Sequence, residues 1–222
     1  MKKVCVYGFG RMGLTHFSIL NAIQKDLHFS FVETNKKINL LMRNNLNVNF
    51  YSSDLKLSSA FDLTLITTPP FVHCEIIESC VKRGDKTIFV EKPFGGFKNN
   101  QKLLSHNSIF IGYVLRFNPI ISWVKKNIKT SNVKDIEASY LSNTITKKPV
   151  GWRNGKFSGV LNEMGSHIID LTNFLFNIQD YKVLSSKINS HISDVDDEVS
   201  AQIYSNKKNI KLYFNWVDKT KR

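Results

Sequence analysis

The sequence predicts an α/β protein that opens with a doubly wound parallel sheet, and three observations carry that expectation. A β-prone run, Lys3-Val4-Cys5-Val6-Tyr7, leads straight into Gly8-Phe9-Gly10-Arg11-Met12-Gly13 and then into the helical periodicity of Leu14 to Ile23. Short apolar runs alternate with helical stretches through the first half of the chain, the pattern of a sheet with helices on both faces. One of those runs, Ile88-Phe89-Val90, has no polar interruption and stops abruptly at Glu91-Lys92-Pro93, as suits a strand covered on both sides.

Taken in order, the glycine-rich run is a GxGxxG placed between a strand and a helix. There Gly8 allows the tight turn, Gly10 lets the backbone approach a pyrophosphate, and Gly13 lets helix and strand pack closely. The helix N-terminus adds N–H groups for phosphates. Gly8, Gly10 and Gly13, with Phe9, Arg11 and Met12 between them, are therefore candidate dinucleotide contacts in a Rossmann unit. The second strand, Phe29 to Val32, closes on Glu33, whose carboxylate can accept ribose hydroxyls and repel a 2'-phosphate, so NAD(H) is expected over NADP(H). Lys36 and Lys37 oppose that preference, and a solvated loop acid is the competing reading of Glu33. Val48 to Tyr51 reads as a third strand. Phe61 to Thr68 reads as a fourth, running into Pro69-Pro70, which cannot continue a central strand. His73 to Val81 is helical in period and stops at Gly84, and Ile88 to Val90 is the fifth strand. Ligands of open α/β sheets bind beyond the carboxyl ends of the strands, which sets Glu91 and Lys92 at the mouth. A surface lysine capping a strand is the plainer alternative.

At 222 residues the chain can form one large or two small domains, each with a core. With 42% hydrophobic and 22% charged residues it reads as globular rather than disordered. No apolar run approaches the ~20 residues of a membrane span. Gly8 and Gly10 interrupt the N-terminal apolar run and no cleavage site follows, so a cytoplasmic location without a membrane partner is expected. Cys5, Cys74 and Cys80 form no CxxC pair, which argues against disulfides or a metal site and for small buried hydrophobes. The formal charge is +13, but the lysines are dispersed and no Arg-rich segment occurs. Nucleic acid is therefore not expected as the main partner, although it stays as a third reading; a positive field equally favours a dinucleotide or a nucleotide-linked sugar.

The order GFGRMG, then Thr67-Thr68-Pro69-Pro70 with His73, then Glu91-Lys92-Pro93 resembles the Gfo/Idh/MocA oxidoreductases. The resemblance implies that Thr67, Pro69, His73 and Glu91 lie at the cofactor and that Lys92 touches both cofactor and substrate. Gly112-Tyr113-Val114-Leu115-Arg116-Phe117-Asn118-Pro119 is similar to the family's crossing into its second domain. This divides the chain into a dinucleotide-binding Rossmann domain, 1–112, and an abbreviated α+β substrate domain with a mostly antiparallel sheet, 113–222. The run from Ile109 reads as a strand already leaving the nucleotide fold, and the helix after Pro119, with Ile120, Ile121, Trp123 and Val124, as structural. Val133 to Leu141 alternates like a strand with one buried face.

Trp152-Arg153, Gly159, Leu161, Gly165, His167 and Asp170 are in step with the family's second fingerprint. Ser158 stands where that pattern has its first glycine, and Glu163 stands for the commoner aspartate. On a helix Glu163 and His167 share a face, with Asp170 one turn beyond, and a carboxylate beside an imidazole fixes its tautomer for acid–base work. By itself that spacing also describes a surface pair. The resemblance implies Lys92 and His167 as catalytic groups with Glu163 orienting His167, and Tyr113, Arg116, Arg153 and Asp170 on the substrate side. Salt bridges and packing are the plain alternatives for the arginines. It further implies hydride transfer at a secondary alcohol or ketone of a sugar or nucleotide sugar, a setting such as surface polysaccharide synthesis, and a dimer through the C-terminal sheet. Val199, Ala201, Ile203 and Ile210 to Trp216 are similar to that sheet. Asp194-Val195-Asp196-Asp197-Glu198 is expected as a solvated strand entrance without a metal. Family members usually continue beyond the position of Trp216, so the alternative is a non-catalytic dinucleotide-binding relative.

Overall fold

The computed structural model describes every residue except 47, 54–55, 95–107, 156, 179 and 220–222. The chain divides into two compact units, Met1–Gly112 and Tyr113–Arg222.

In the first unit, β1 (Lys2–Tyr7), β2 (Leu27–Val32), β3 (Asn49–Tyr51), β4 (Leu63–Ile66), β5 (Ile88–Val90) and β6 (Ile109–Ile111) form a sheet in the order β3-β2-β1-β4-β5-β6. Every pairing is parallel. Both faces are covered, which is why the strands read as unbroken apolar runs. Val4 and Val6 of β1 pack with Phe29, Phe31, Phe50 and Leu65 on one face, while Cys5 and Tyr7 pack with Ile66, Ile77, Ile88 and Val90 on the other. Phe31 stacks on Phe50 with centroids 4.8 Å apart, and burying one such ring contributes roughly 1.5–3 kcal/mol. Helix α1 (Arg11–Ile23) follows the glycine loop, α2 (Lys36–Asn45) is capped by the Asn35 side chain, and α3 (His73–Arg83) stops at Gly84, which adopts the left-handed conformation.

Two expectations change here. β4 ends at Ile66 rather than Thr68 because Thr67 Oγ1 turns to donate to the carbonyls of Tyr7, at 2.9 Å, and Gly8, at 2.7 Å. β6 does not leave the nucleotide fold; it pairs with β5, and the chain departs only after Gly112 into a 3-10 turn, Val114–Phe117. Cys5 and Cys80 are fully buried, as expected of small hydrophobes, and burial pushes the Cys80 thiol up to about 12. Cys74 is only half-buried.

In the second unit, β7 (Asp135–Leu141), β8 (Lys182–Asn189), β9 (Glu198–Ser205) and β10 (Lys208–Asn215) lie in the order β7-β10-β9-β8, with β10–β9 and β9–β8 antiparallel and β10–β7 parallel. Ile210, Leu212 and Phe214 alternate along β10 and bury against Ile136, Val160 and Val199, with Met164, Ile168 and Ile169 packed on them. Helix α5 (Ser166–Phe176) follows a π turn, Leu161–Gly165. Lys208 is buried, its ammonium donating to the carbonyls of Thr130, at 2.9 Å, and Val133, at 2.6 Å. Helix α4 (Pro119–Asn127) carries no buried residue, and its Ile120 and Trp123 are exposed. β8 is an edge strand with nearly every side chain exposed, so its sequence carries no alternation to announce it.

Candidate functional site

In the first unit the strand order reverses at β1, with β2 and β3 to one side and β4, β5 and β6 to the other. Open α/β sheets bind ligands at such a reversal, beyond the carboxyl ends of the strands. Gly8 turns the chain there at φ +82°, and a Cβ on Gly13 would stand 2.1 Å from the Gly8 carbonyl oxygen, so only glycine lets α1 pack this close. A Cβ on Gly10, by contrast, would meet nothing within 4 Å. The backbone at Gly10 is therefore uncovered, and α1 starts beside it at Arg11 with no acid in its first turn. A pyrophosphate fits this opening, held by backbone N–H groups.

Phe9 sends its side chain into the aromatic core and donates its N–H to Glu33 Oε2 at 2.8 Å, while Arg11 is exposed and Met12 half-buried. Glu33 Oε1 accepts from the Asn35 N–H at 2.7 Å. Glu33 is thus buried and committed on both oxygens rather than a solvated loop acid. Thr67 staples β4 to the glycine turn, and Pro69 leads into the 3-10 turn Pro70–Val72. His73, expected at the cofactor, is fully buried; its Nε2 lies 2.8 Å from the Thr68 carbonyl, and burial pushes its pKa down. It braces the turn from inside. Thr68 Oγ1, beside Gly8, is a buried hydroxyl with no hydrogen-bond partner among the described residues.

Lys92 follows β5 directly and is half-buried, between Glu91 and a cis-linked Pro93. Glu91 is buried, and His16 of α1 donates to its Oε1 at 2.8 Å. The His16 ring stands edge-on to Phe89 at 5.2 Å. This bond ties the helix of the glycine loop to the strand end that carries Lys92. Sequence reasoning missed His16, whose partner is 75 residues away; its only signal is a polar residue on the packed face of α1.

The second unit gathers the remaining candidates into three groups. Glu163, on the π turn, accepts from Ser158 Oγ at 2.6 Å and lies 3.8 Å from Arg153 Nε. The expected continuous α-helix through Glu163 and His167 is instead a π turn that passes into α5 at Ser166, so the simple four-residue spacing does not describe this segment. His167 sits in the first turn of α5 with its ring edge-on to Tyr113 at 5.9 Å. Asp170, buried, takes Arg116 in a two-pronged ion pair, with Nε 2.7 Å from Oδ2 and a second nitrogen on Oδ1. That hydrogen bond raises the Arg116 pKa, and burial raises the Tyr113 phenol.

The acid run is solvated at Asp194 but not at Asp196 and Asp197. Asp197 is fully buried and accepts the N–H groups of His191, Ile192 and Ser193, the Ser193 hydroxyl and the Trp216 indole, at 2.6–3.0 Å. Burial pushes its carboxyl up, but these donors together hold it well below the usual carboxylate range. Asp196 Oδ2 accepts the Leu161 N–H at 2.7 Å, and Oδ1 fills the space where a Cβ of Gly159 would stand, at φ +105°. The pair thus sets the entry into the segment carrying Glu163 and His167. Among the described residues no group of three or more His, Cys, Asp or Glu could hold a metal ion.

Residues 2–105 match the model of the Gfo/Idh/MocA oxidoreductase family, NAD-binding Rossmann fold. That match covers just under half of the chain. The chain is 30% identical over 129 residues to scyllo-inositol 2-dehydrogenase (NADP(+)) IolW of Bacillus subtilis, covering 54% of this chain and 36% of that one. It thus spans about a third of that curated relative. Two solved structures share the fold: the WlbA dehydrogenase of Bordetella pertussis in complex with NADH and UDP-GlcNAcA, and a myo-inositol dehydrogenase of Corynebacterium glutamicum. The first has TM-score 0.83 at 14% identity, covering 98% of this chain and 68% of that one. The second has TM-score 0.77 at 16% identity, covering 97% and 68%.

Proposed function

We propose that this chain is an NAD(P)-dependent oxidoreductase acting on a secondary alcohol or ketone of a sugar or nucleotide sugar. The observation that carries the reading is Lys92 at the mouth of β5, in the same sheet end as the uncovered backbone of Gly10. A bound nicotinamide supplies the hydride donor or acceptor. The glycine loop holds the diphosphate, and the turn Thr67–Pro70, braced by the buried His73, shapes the floor beside it. Lys92 holds the substrate oxygen, and its strand end is fixed by the His16–Glu91 bond. The family resemblance assigns the transfer of the hydroxyl proton to His167, against whose ring Tyr113 stands within the second unit. Arg153 and Arg116 offer cations to an anionic substrate group, the latter oriented by Asp170. The relatives' inositol and UDP-sugar ligands support a polyol or sugar substrate. The exposed edge strand β8 supports self-association through the second sheet.

The test is a thermal-shift titration with NADH and NADPH, then with a panel of inositols and UDP-sugars added. Stabilisation by a dinucleotide with a further shift from one polyol or sugar is expected. Lys92→Ala should then lower turnover of that compound by roughly 10²–10⁴-fold with dinucleotide binding retained. Wild-type turnover in that variant would remove Lys92 from the chemistry.

A further inference from the structure

We infer that the adenosine end of the dinucleotide site is built for a 2'-phosphate, so that the chain takes NADP(H) in preference to NAD(H). This rests on the dinucleotide reading above and reverses the preference expected from Glu33 in the sequence. Next to the carboxyl ends of β2 and β3 lies a cavity of about 390 Å³ lined by Glu33, Lys36, Arg43, Ser52 and Lys56, with Leu40 and Asn39.

Its charge decides the ligand. Among the described residues of that lining Glu33 is the only acid, against three cations. Its two oxygens accept the N–H groups of Phe9, at 2.8 Å, and Asn35, at 2.7 Å, which hold the carboxylate inward. The residue is 8% exposed, so little of it remains for a ribose hydroxyl. Asn39, equally buried, donates its amide to the carbonyls of Glu33 and Tyr51 and fixes α2 against the strand ends. Arg43 is held in place by its bond to the Phe50 carbonyl, which leaves the rest of the guanidinium for an anion. Lys36 and Lys56 are exposed and can close on a phosphate from the solvent side. Ser52 adds a hydroxyl donor. Leu40, 64% exposed beside them, offers apolar surface to an adenine ring. An unphosphorylated ribose would leave three cations in the described lining against one carboxylate. A 2'-phosphate, with charge-assisted bonds from a guanidinium and two ammonium groups, offsets that excess.

The experiment is fluorescence titration of the full chain with NADPH and with NADH at low salt, repeated at about 0.3 M salt, where exposed charges are screened. NADPH is expected to bind at least about tenfold more tightly, with the margin shrinking at high salt. The double variant Lys36→Gln/Lys56→Gln, both exposed side chains, should weaken NADPH about tenfold and change NADH by less than about threefold. NADH binding as tightly as NADPH or more so would overturn the inference while leaving the dinucleotide reading intact. So would a variant that weakens both alike. Binding of neither would remove the dinucleotide reading itself.

Discussion

Asp197→Asn tests whether one buried acid builds the frame of the second unit. The carboxylate takes five donors: Oδ2 accepts from the backbone of His191, Ile192 and Ser193, and Oδ1 from the Ser193 hydroxyl and the Trp216 indole. Asparagine keeps the shape but replaces one oxygen with a donor. With the amide oxygen left on the three backbone groups, the new NH2 faces the indole N–H, and Ser193 can turn its hydroxyl but Trp216 cannot. One buried donor is stranded at about 1–3 kcal/mol, and the surviving bonds lose charge assistance, for a total of roughly 3–5 kcal/mol. For a unit of this size that is a fall in Tm of upwards of about 10 °C. Urea or thermal unfolding read by tryptophan fluorescence measures it, because Trp216 is itself part of the hub. The acid limb gives a second check. A carboxyl held below its unfolded value of about 3.9 stabilises the fold above that pH and loses its contribution as pH falls through and below it. Wild type should therefore lose stability from about pH 4 downward, and the variant should lose less over the same range. Wild-type stability in Asp197→Asn, with the same acid limb, would refute the reasoning.

Three further outcomes follow from the sites. His16→Phe keeps a ring against Phe89 but leaves buried Glu91 without that donor, at a cost of about 1–3 kcal/mol in urea unfolding; His16→Gln, which still donates, should recover part of it. Ser158→Gly and Glu163→Asp each break the 2.6 Å bond between the two positions, so the double variant should be less destabilised than the sum of the singles, with a coupling of about 0.5–3 kcal/mol in a double-mutant cycle; strict additivity would show the pairing to be incidental. Gly13→Ala places a Cβ 2.1 Å from the Gly8 oxygen, and dinucleotide binding by fluorescence titration should be lost while tryptophan-monitored unfolding of the second unit is kept.

What could be read from the sequence was local. A strand, a glycine loop and a helix within 23 residues leave a contiguous signature, and so does a strand that ends in Glu91-Lys92-Pro93. The π turn at Leu161–Gly165 was hidden because residue spacing alone assumes a regular helix. β8 was hidden because an edge strand exposed on both faces has no reason to alternate. The two departures from the family fingerprint, Ser158 and Glu163, looked independent in the sequence. Folding brings them 2.6 Å apart, so the hydroxyl that replaces the glycine meets the carboxylate that reaches one methylene further than aspartate would.

The same distinction explains why the burial of these acids could not be read from the sequence. Glu33 and Asp197 each stand next to a strand end, where a sequence shows only a carboxylate beside a polar loop. Whether such a group faces water or the backbone depends on which N–H groups the fold returns to it. For Glu33 one of them comes from Phe9, 24 residues earlier, and for Asp197 three come from the preceding turn and one more from Trp216. A carboxylate engaged in this way shapes a loop and keeps its charge. Backbone carbonyls hold cations in the same way, Lys208 through Thr130 and Val133 and Arg43 through Phe50, and these cations keep their charge too. In the cavity beside Glu33 the carboxylate is held by the loop while Lys36, Arg43 and Lys56 line the same space, and the comparison of NADPH with NADH binding proposed above tests whether their positive excess selects the ligand.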